Sequence, residues 1–389
     1  MDRRSFLRIA ATTAAAPLAT FGHAAVAAVA AHGDYRKLVV LVELKGGNDG
    51  LNTLVPYTDA AYYALRPKIA IARDSVVQLS DRFGLHPSLA PLLPTWKSGK
   101  LAVLQGVGYP DPNLSHFRSI EIWDTASKSE TYLTDGWLTR AFASDPVPSS
   151  FAADGVIIGS SELGPLAGGG TRAIALADTA QFLRRARLAQ PGETSGNKAL
   201  AHILKVEGDI VQAASHLSGR TDFATEFPAG AFGSAVRTAC QIIANPSGVA
   251  VVRVTLTGFD THANQPGTQA RLLGEVANGL VALQSGLVEL GKWNDALVVT
   301  YAEFGRRPKE NQNNGTDHGT ANVHFGMGGR VAGGFYGAAP DLTRLSSDGN
   351  PAYAIDFRGV YATVLDRWWS VDSRNALGGK FAAVPFLAA

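Results

Sequence analysis

The chain has 389 residues, 46% of them apolar and 17% charged, and its 35 Lys and Arg against 33 Asp and Glu leave a formal charge of +2. That balance excludes extensive disorder and gives no electrostatic case for a nucleic-acid or anionic-membrane partner. The single cysteine, Cys240, excludes an internal disulfide and a thiolate metal cluster, and its helix-like setting reads as buried packing.

Arg3 and Arg4 precede Ser5, Phe6 and Leu7, and an alanine-rich apolar run without acidic residues follows from Ile9 to Leu18. This order predicts a twin-arginine signal over residues 1–30, with cleavage after Ala25-Val26-Ala27 or after Ala28-Val29-Ala30. The apolar run is too short to serve as a stable membrane anchor. The expected partner of this segment is the twin-arginine export machinery, which carries folded proteins, often with a metal or cofactor in place. The expected destination is the periplasm.

Residues 34–389 read as a single domain. Short β-branched runs at Leu38–Leu44, Leu101–Val107, Val156–Ile158, Ala173–Leu176, Val249–Leu256 and Leu297–Tyr301 predict buried strands. Helical patterns separate them at His86–Trp96, Ser115–Ala126, Ala199–Leu217, Phe232–Ile243, Thr268–Leu290 and Gly359–Trp369. Gly168–Thr171, Gln190–Asn197 and Asn311–Gly319 read as loops. The alternation predicts an α/β protein with a largely parallel sheet covered on both faces.

Ligands of open α/β sheets bind beyond the carboxyl ends of the strands, so the residues just past each run come first. Asn48 and Asp49 sit in a glycine-flanked turn after the first, and Ser115, His116 and Arg118 open a helix after the second. Asp260 and His262 follow Val249–Leu256; Glu303 and Arg306 follow Leu297–Tyr301; Asp317, His318 and His324 come soon after. Taken singly, each has an ordinary reading, such as a turn aspartate, a helix-capping serine or a satisfied histidine. Converging at one sheet edge, they form the ligand set of one or two divalent metal ions. Imidazole favours Zn, Mn or Fe, and oxygen favours Mg or Ca. Two ions would offset the mutual repulsion of the carboxylates. Ser115 at a helix N-terminus suits a nucleophile, His116 stands beside it, and Arg118 or Arg306 suits the gripping of a tetrahedral anion.

The segments Gly46-Gly-Asn-Asp-Gly-Leu-Asn52, Ser115-His-Phe, Gly258-Phe-Asp-Thr-His262, Glu303-Phe-Gly-Arg306 and Asp317-His-Gly319 with His324-Phe-Gly-Met-Gly-Gly329 resemble the bacterial family of domain of unknown function 1501. That family is similar to the alkaline phosphatase and sulfatase superfamily. The resemblance implies an alkaline phosphatase-like three-layer sandwich with a metal site at the strand ends. On it, Asp49 takes the place of a metal-bridging aspartate, Ser115 that of the nucleophile, and Asp260 with His262 that of a ligand pair. The superfamily's Thr-Ala-Asp-His-Gly element matches either Tyr301-Ala-Glu-Phe-Gly305 or Thr316-Asp-His-Gly319. Hence Glu303 competes with Asp317, and His318 with His324. Asp260 and His262 stand two apart, where the phosphatases space the pair by four. The arylsulfatase motif that yields formylglycine is absent after Ser115. The expected function is a periplasmic, metal-dependent hydrolase of a small-molecule or polymer phosphate or sulfate ester. The alternative is a non-catalytic envelope-binding module, motivated by Phe304 where the element carries a histidine.

Overall fold

The computed structural model describes residues 33–176 and 222–388. The expected signal, the loop at 190–197 and the helix at 199–217 lie outside the described residues. Runs such as Leu38–Lys45 are short, β-branched and apolar on both sides, which suits a strand covered on both faces. In chain order the strands are β1 (Leu38–Lys45), β2 (Leu54–Val55), β3 (Val77–Gln78), β4 (Gly84–Leu85), β5 (Leu101–Gly108), β6 (Ala153–Ile158), β7 (Ala173–Leu176), β8 (Val249–Thr257), β9 (Ala296–Tyr301), β10 (Gly305–Glu310), β11 (Thr316–Gly319), β12 (Asn322–Met327), β13 (Gly334–Tyr336) and β14 (Ile355–Asp356). The helices that matter below are α1 (His116–Thr125), α2 (Trp137–Ser144), α3 (Ala231–Ile243), α4 (Gln265–Glu289) and α5 (Phe357–Ala362). Among the described residues no helix is long and apolar enough to cross a membrane.

Nine strands make one sheet in the order β13-β5-β12-β9-β1-β8-β6-β7, with β14 beside β5. All pairs are parallel except those of β12, which runs against β5 and β9. Alternation along the strands divides the core. Val40, Val42 and Leu44 of β1 pack with α3 and α4, whereas Val39 and Leu41 pack with α1, α2 and α5. The result is the expected three-layer α/β sandwich with a largely parallel central sheet.

Two elements differ from the sequence reading. The segment Asn311–Gly319, expected as a loop, supplies the turn and second strand of the β10–β11 hairpin. Its charged residues carry no strand signal, because pairing there rests on backbone hydrogen bonds. Asn311 shapes the turn by accepting from the amides of Asn313 and Gly315. The other is β12, which carries His324 into the sheet opposite Leu104. This corrects the placement of His324 near the strand ends: the imidazole is fully buried against Trp123, and neither ring nitrogen has a partner.

Burial lowers the His324 pKa to about 3, from an ordinary value of 6.5. The unfolded chain therefore binds the extra proton first on acidification. The contribution to stability is complete above the unfolded value and is lost as pH falls towards the folded one, at about 1.4 kcal/mol per pH unit. We expect His324→Leu to flatten the decline in urea midpoint between pH 6.5 and 4.5 by an amount equivalent to about 2 kcal/mol. Parallel pH profiles for the two proteins would contradict this account.

Candidate metal centre

The site grows from the carboxyl ends of β1, β8 and β9 and from the start of α1. After β1 the chain turns at Gly46, where φ is +118° and a Cβ would lie 2.4 Å from the amide nitrogen of Asp260. Only glycine lets the β1 and β8 turns meet so closely. The Gly46 amide donates to both carboxylate oxygens of Glu303, at 2.9 and 3.1 Å, which ties β1 to the segment after β9. Arg306, 2% exposed, joins the remaining loops. Its Nε donates to the Gly47 carbonyl at 2.7 Å, Nη1 to the Thr316 carbonyl at 2.9 Å, and Nη2 to Asp260 Oδ1 at 2.6 Å and to the carbonyls of Gly46 and Phe259.

Three histidines surround Asp260 within this frame. Each has its Nδ1 directed outward to an acceptor. His318 Nδ1 is 2.7 Å from the Leu114 carbonyl, His116 Nδ1 is 2.9 Å from Glu303 Oε1, and His262 Nδ1 is 3.3 Å from Asp317 Oδ1. A carbonyl or an ionised carboxylate only accepts, so each Nδ1 carries hydrogen and, in the neutral ring, each Nε2 holds a free lone pair. Those Nε2 atoms face Asp260: His262 at 3.0 Å and His318 at 3.3 Å from Oδ1, and His116 at 3.3 Å from Oδ2, where it lacks the alignment of a hydrogen bond. The Nε2 atoms of His262 and His318 are 2.9 Å apart. Two lone pairs at that distance repel unless a proton or a cation lies between them.

Of these donors, His116, His318 and Asp260 fit a metal ion, with His262 to one side. Bonds of the usual length in a tetrahedral site put neighbouring ligand atoms roughly 3.3 Å apart, close to the separations around Asp260. The outward bonds of Nδ1 to Glu303, Asp317 and a backbone carbonyl are those that orient metal-binding histidines. Among the described residues, His116, Asp260 and His318 form a group whose ligand atoms all lie within 4.8 Å of one another. Phe304 packs beneath the rings, with centroids 4.4 Å from His318 and 4.9 Å from His116.

Charge at the site is already partly balanced. Partial burial pushes the Asp260 carboxyl upward, but the hydrogen bond and charge of Arg306 outweigh it and hold the group below the usual range. The bond to Glu303 raises the His116 imidazole, whereas burial lowers that of His318. Asn311, followed by His262, holds the Asp317 carboxyl down.

The sequence matches the family described as "Protein of unknown function (DUF1501)" over residues 36–378. The chain belongs to that family. No curated protein matches it. Among solved structures it is similar to the lipoteichoic acid synthase LtaP from Listeria monocytogenes, with 11% identity over 92% of this chain and 76% of that one and a TM-score of 0.35. It is also similar to the alkaline phosphatase of the Antarctic bacterium TAB5, with 12% identity over 77% and 94% and a TM-score of 0.32. A third is the zinc complex of the C-terminal periplasmic domain of EcEptC from Escherichia coli, with 12% identity over 75% and 72% and a TM-score of 0.34. Likeness at this level assigns no substrate and no site residue.

Of the residues singled out in the sequence, the structure brings together His116, Asp260, His262, Glu303, Arg306, Asp317 and His318, with Ser115 next in the chain to His116. Glu303 and Asp317 stand behind histidines, so their competition for one ligand position dissolves. Asn48 and Asp49 are set apart. Asn48 is buried and donates to Thr53 at 2.8 Å. Asp49 caps the turn at Gly50–Thr53, and its carboxylate is fully engaged by Arg66, at 2.6 and 3.0 Å, and by Gln265. A carboxylate so enclosed has no oxygen for a metal, which corrects its expected role.

Neither arginine is free to grip an anion. Arg306 is spent on the loops, and Arg118 donates to the carbonyls of Lys128, Ser129 and Thr131 while stacking on Tyr132. The sequence reading missed Arg66, Gln265 and the Leu114 carbonyl. Arg66 lies just past the short helix Ala60–Leu65 and Gln265 at the start of α4, with no motif around either, and a carbonyl carries no signal at all.

These placements predict that Asp260→Asn lowers metal affinity at least ~10-fold. Asp49→Asn should keep the metal while losing about 3–5 kcal/mol of stability, because it leaves the buried Arg66 uncompensated. Elemental analysis after dialysis, with thermal melts, separates the two; loss of metal in Asp49→Asn would return that residue to the ligand set.

Proposed function

We propose that this protein is a periplasmic, metal-dependent hydrolase of a phosphodiester or sulfate ester, with Ser115 as its nucleophile. One observation carries the reading: three imidazoles with tethered Nδ1 atoms direct their Nε2 lone pairs at one carboxylate. His116, His318 and Asp260 would hold a single ion with His262 beside them, and imidazole nitrogens in the donor set favour a transition metal such as Zn, Fe or Mn over Mg or Ca. Arg306 and Arg66 supply the positive charge that a second ion would otherwise bring. When bound, the metal supplies a Lewis acid beside the first turn of α1.

The chain's own residues do the rest. Leu114, Ser115 and His116 are consecutive, and the flanking pair reaches the cluster through the Leu114 carbonyl and the His116 ring. Ser115 is exposed at the N-cap of α1, and its hydroxyl makes no capping bond. There the unpaired amides of the first helical turn favour a developing oxyanion. Glu303, Asp317 and the Leu114 carbonyl hold the imidazoles in one tautomer. With Arg118 and Arg306 committed elsewhere, the cluster suits an ester carrying a single negative charge better than a dianionic phosphomonoester.

The same commitment favours a second reading, in which the chain holds a metal and binds an envelope polymer without turning it over. The purified mature protein, assayed on a diaryl phosphate and an aryl sulfate, separates the two. Hydrolysis requires about one metal per chain, stops on chelation, and falls to the buffer rate in Ser115→Ala with metal retained. Equal activity in Ser115→Ala and wild type removes the nucleophile. A folded protein that takes up no divalent metal removes the whole reading.

A further inference from the structure

Beside the cluster lies an open cleft of ≈ 690 Å³, whose lining includes His116, Asp260 and Glu303 on one side. Among the described residues that line it, Lys45 is the only lysine or arginine. Lys45 ends β1, where strand alternation turns it to the same side as Val39 and Leu41, the side of α1. Its Nζ donates to Glu162 Oε2 at 2.7 Å, and the two side chains are 35% and 60% exposed. An ion pair so open to water contributes little to stability, so a competing anion displaces it at small cost.

Glu162 differs from the other carboxylates of the lining, which are answered in place. Asp260 is bound by the buried Arg306, Glu303 by the Gly46 amide and His116, and Glu121 by Arg118 at 2.9 Å. Burial pushes the Asp124 carboxyl up to about 8, which leaves it uncharged at neutral pH. The Glu162 backbone is fixed: its amide donates to Ser160 Oγ and its carbonyl accepts from Arg253 Nη1, both at 3.1 Å. Release of Lys45 therefore needs only a rotation of the Glu162 side chain into water. Arg118 and Arg306 could be freed only by breaking several buried bonds. Away from Lys45 the lining is apolar at Phe117, Ile120, Leu133, Leu163 and Ala167.

We propose that Lys45 is the anion-binding residue of this cleft, and that it exchanges Glu162 for a ligand with one negative charge whose apolar group lies against Phe117 and Ile120. One cation on the lining matches one negative charge. The apolar wall selects an aryl or alkyl group over a sugar or nucleoside, whose hydroxyls would lose water there without gaining a partner. The proposal deepens the hydrolase reading and rests on it only in calling the natural ligand an ester; the exchange needs an anion, not turnover.

The test titrates 4-ethylbenzenesulfonate, which has no ester bond, into the mature protein in metal-loaded and chelated forms, at an ionic strength of about 0.01 M where screening is weak. Lys45→Met is expected to weaken binding at least ~10-fold, and Lys45→Arg to recover most of the loss. Glu162→Gln should strengthen binding by about threefold. Adding Glu162→Gln to Lys45→Met should bring no gain, because the glutamate competes only through the lysine. Wild-type affinity in Lys45→Met, weaker binding in Glu162→Gln, an equal gain from Glu162→Gln without the lysine, or no binding to either form of the wild type would each overturn the proposal. A protein that shows the expected pattern yet cleaves no ester keeps the anion site and loses only the hydrolase reading. One that cleaves an aryl sulfate with wild-type KM in Lys45→Met loses only the anion site.

Discussion

The site depends on one buried guanidinium. Arg306 donates to the carbonyls of Gly46, Gly47, Phe259 and Thr316 and to the Asp260 carboxylate, and these groups lie on the β1 turn, the β8 turn and the β10–β11 hairpin. Carbonyls at strand ends have no ladder partner and need a donor when buried. Five donors in a rigid fork satisfy several at once, which no lysine can do. The position of Asp260, and with it the centre of the histidine cluster, follows from that arrangement.

The same economy of charge recurs away from the cluster. Asp49 is neutralised by Arg66 and Glu43 by Arg253, both pairs with almost no exposure. Buried pairs of this kind contribute little net stability against apolar replacements, yet removing one partner is severe. They fix the turns they join more than they strengthen the fold. The Asp49 pair sets the glycine-rich turn after β1, and the Glu43 pair sits between β1 and β8 beneath the cleft.

How much of this was legible in the sequence follows from where each signal resides. The six strands and five of the six helices fall on described residues and announce themselves through apolar runs and helical periodicity. The edge at which Asp260, Glu303 and His116 meet follows from the rule that ligands gather beyond parallel strands. The β10–β11 hairpin was hidden, because Arg306, Arg307, Lys309 and Asp317 look like a solvated loop until their backbone pairs. His324 was misplaced for a related reason. Only the antiparallel register of β12 against β5 shows that it enters the sheet two residues past Asn322. Asp49 was misjudged because its partner Arg66 has no motif, so a residue beside a glycine turn looked available when its oxygens were already taken. Phe304 looked like a lost ligand, whereas it is the surface on which His116 and His318 rest.

The spacing of the cluster along the chain has a mechanical consequence. His116 and His318 stand roughly two hundred residues apart in sequence, and Asp260 and His262 lie between them. An ion held by His116, Asp260 and His318 would act as a removable cross-link across most of the fold, closing a loop whose entropy the unfolded chain would otherwise keep. Such a tie shortens the reach of thermal fluctuations at the strand ends without any covalent bond. It would also make resistance to unfolding a property that the protein acquires on loading and surrenders on demetallation.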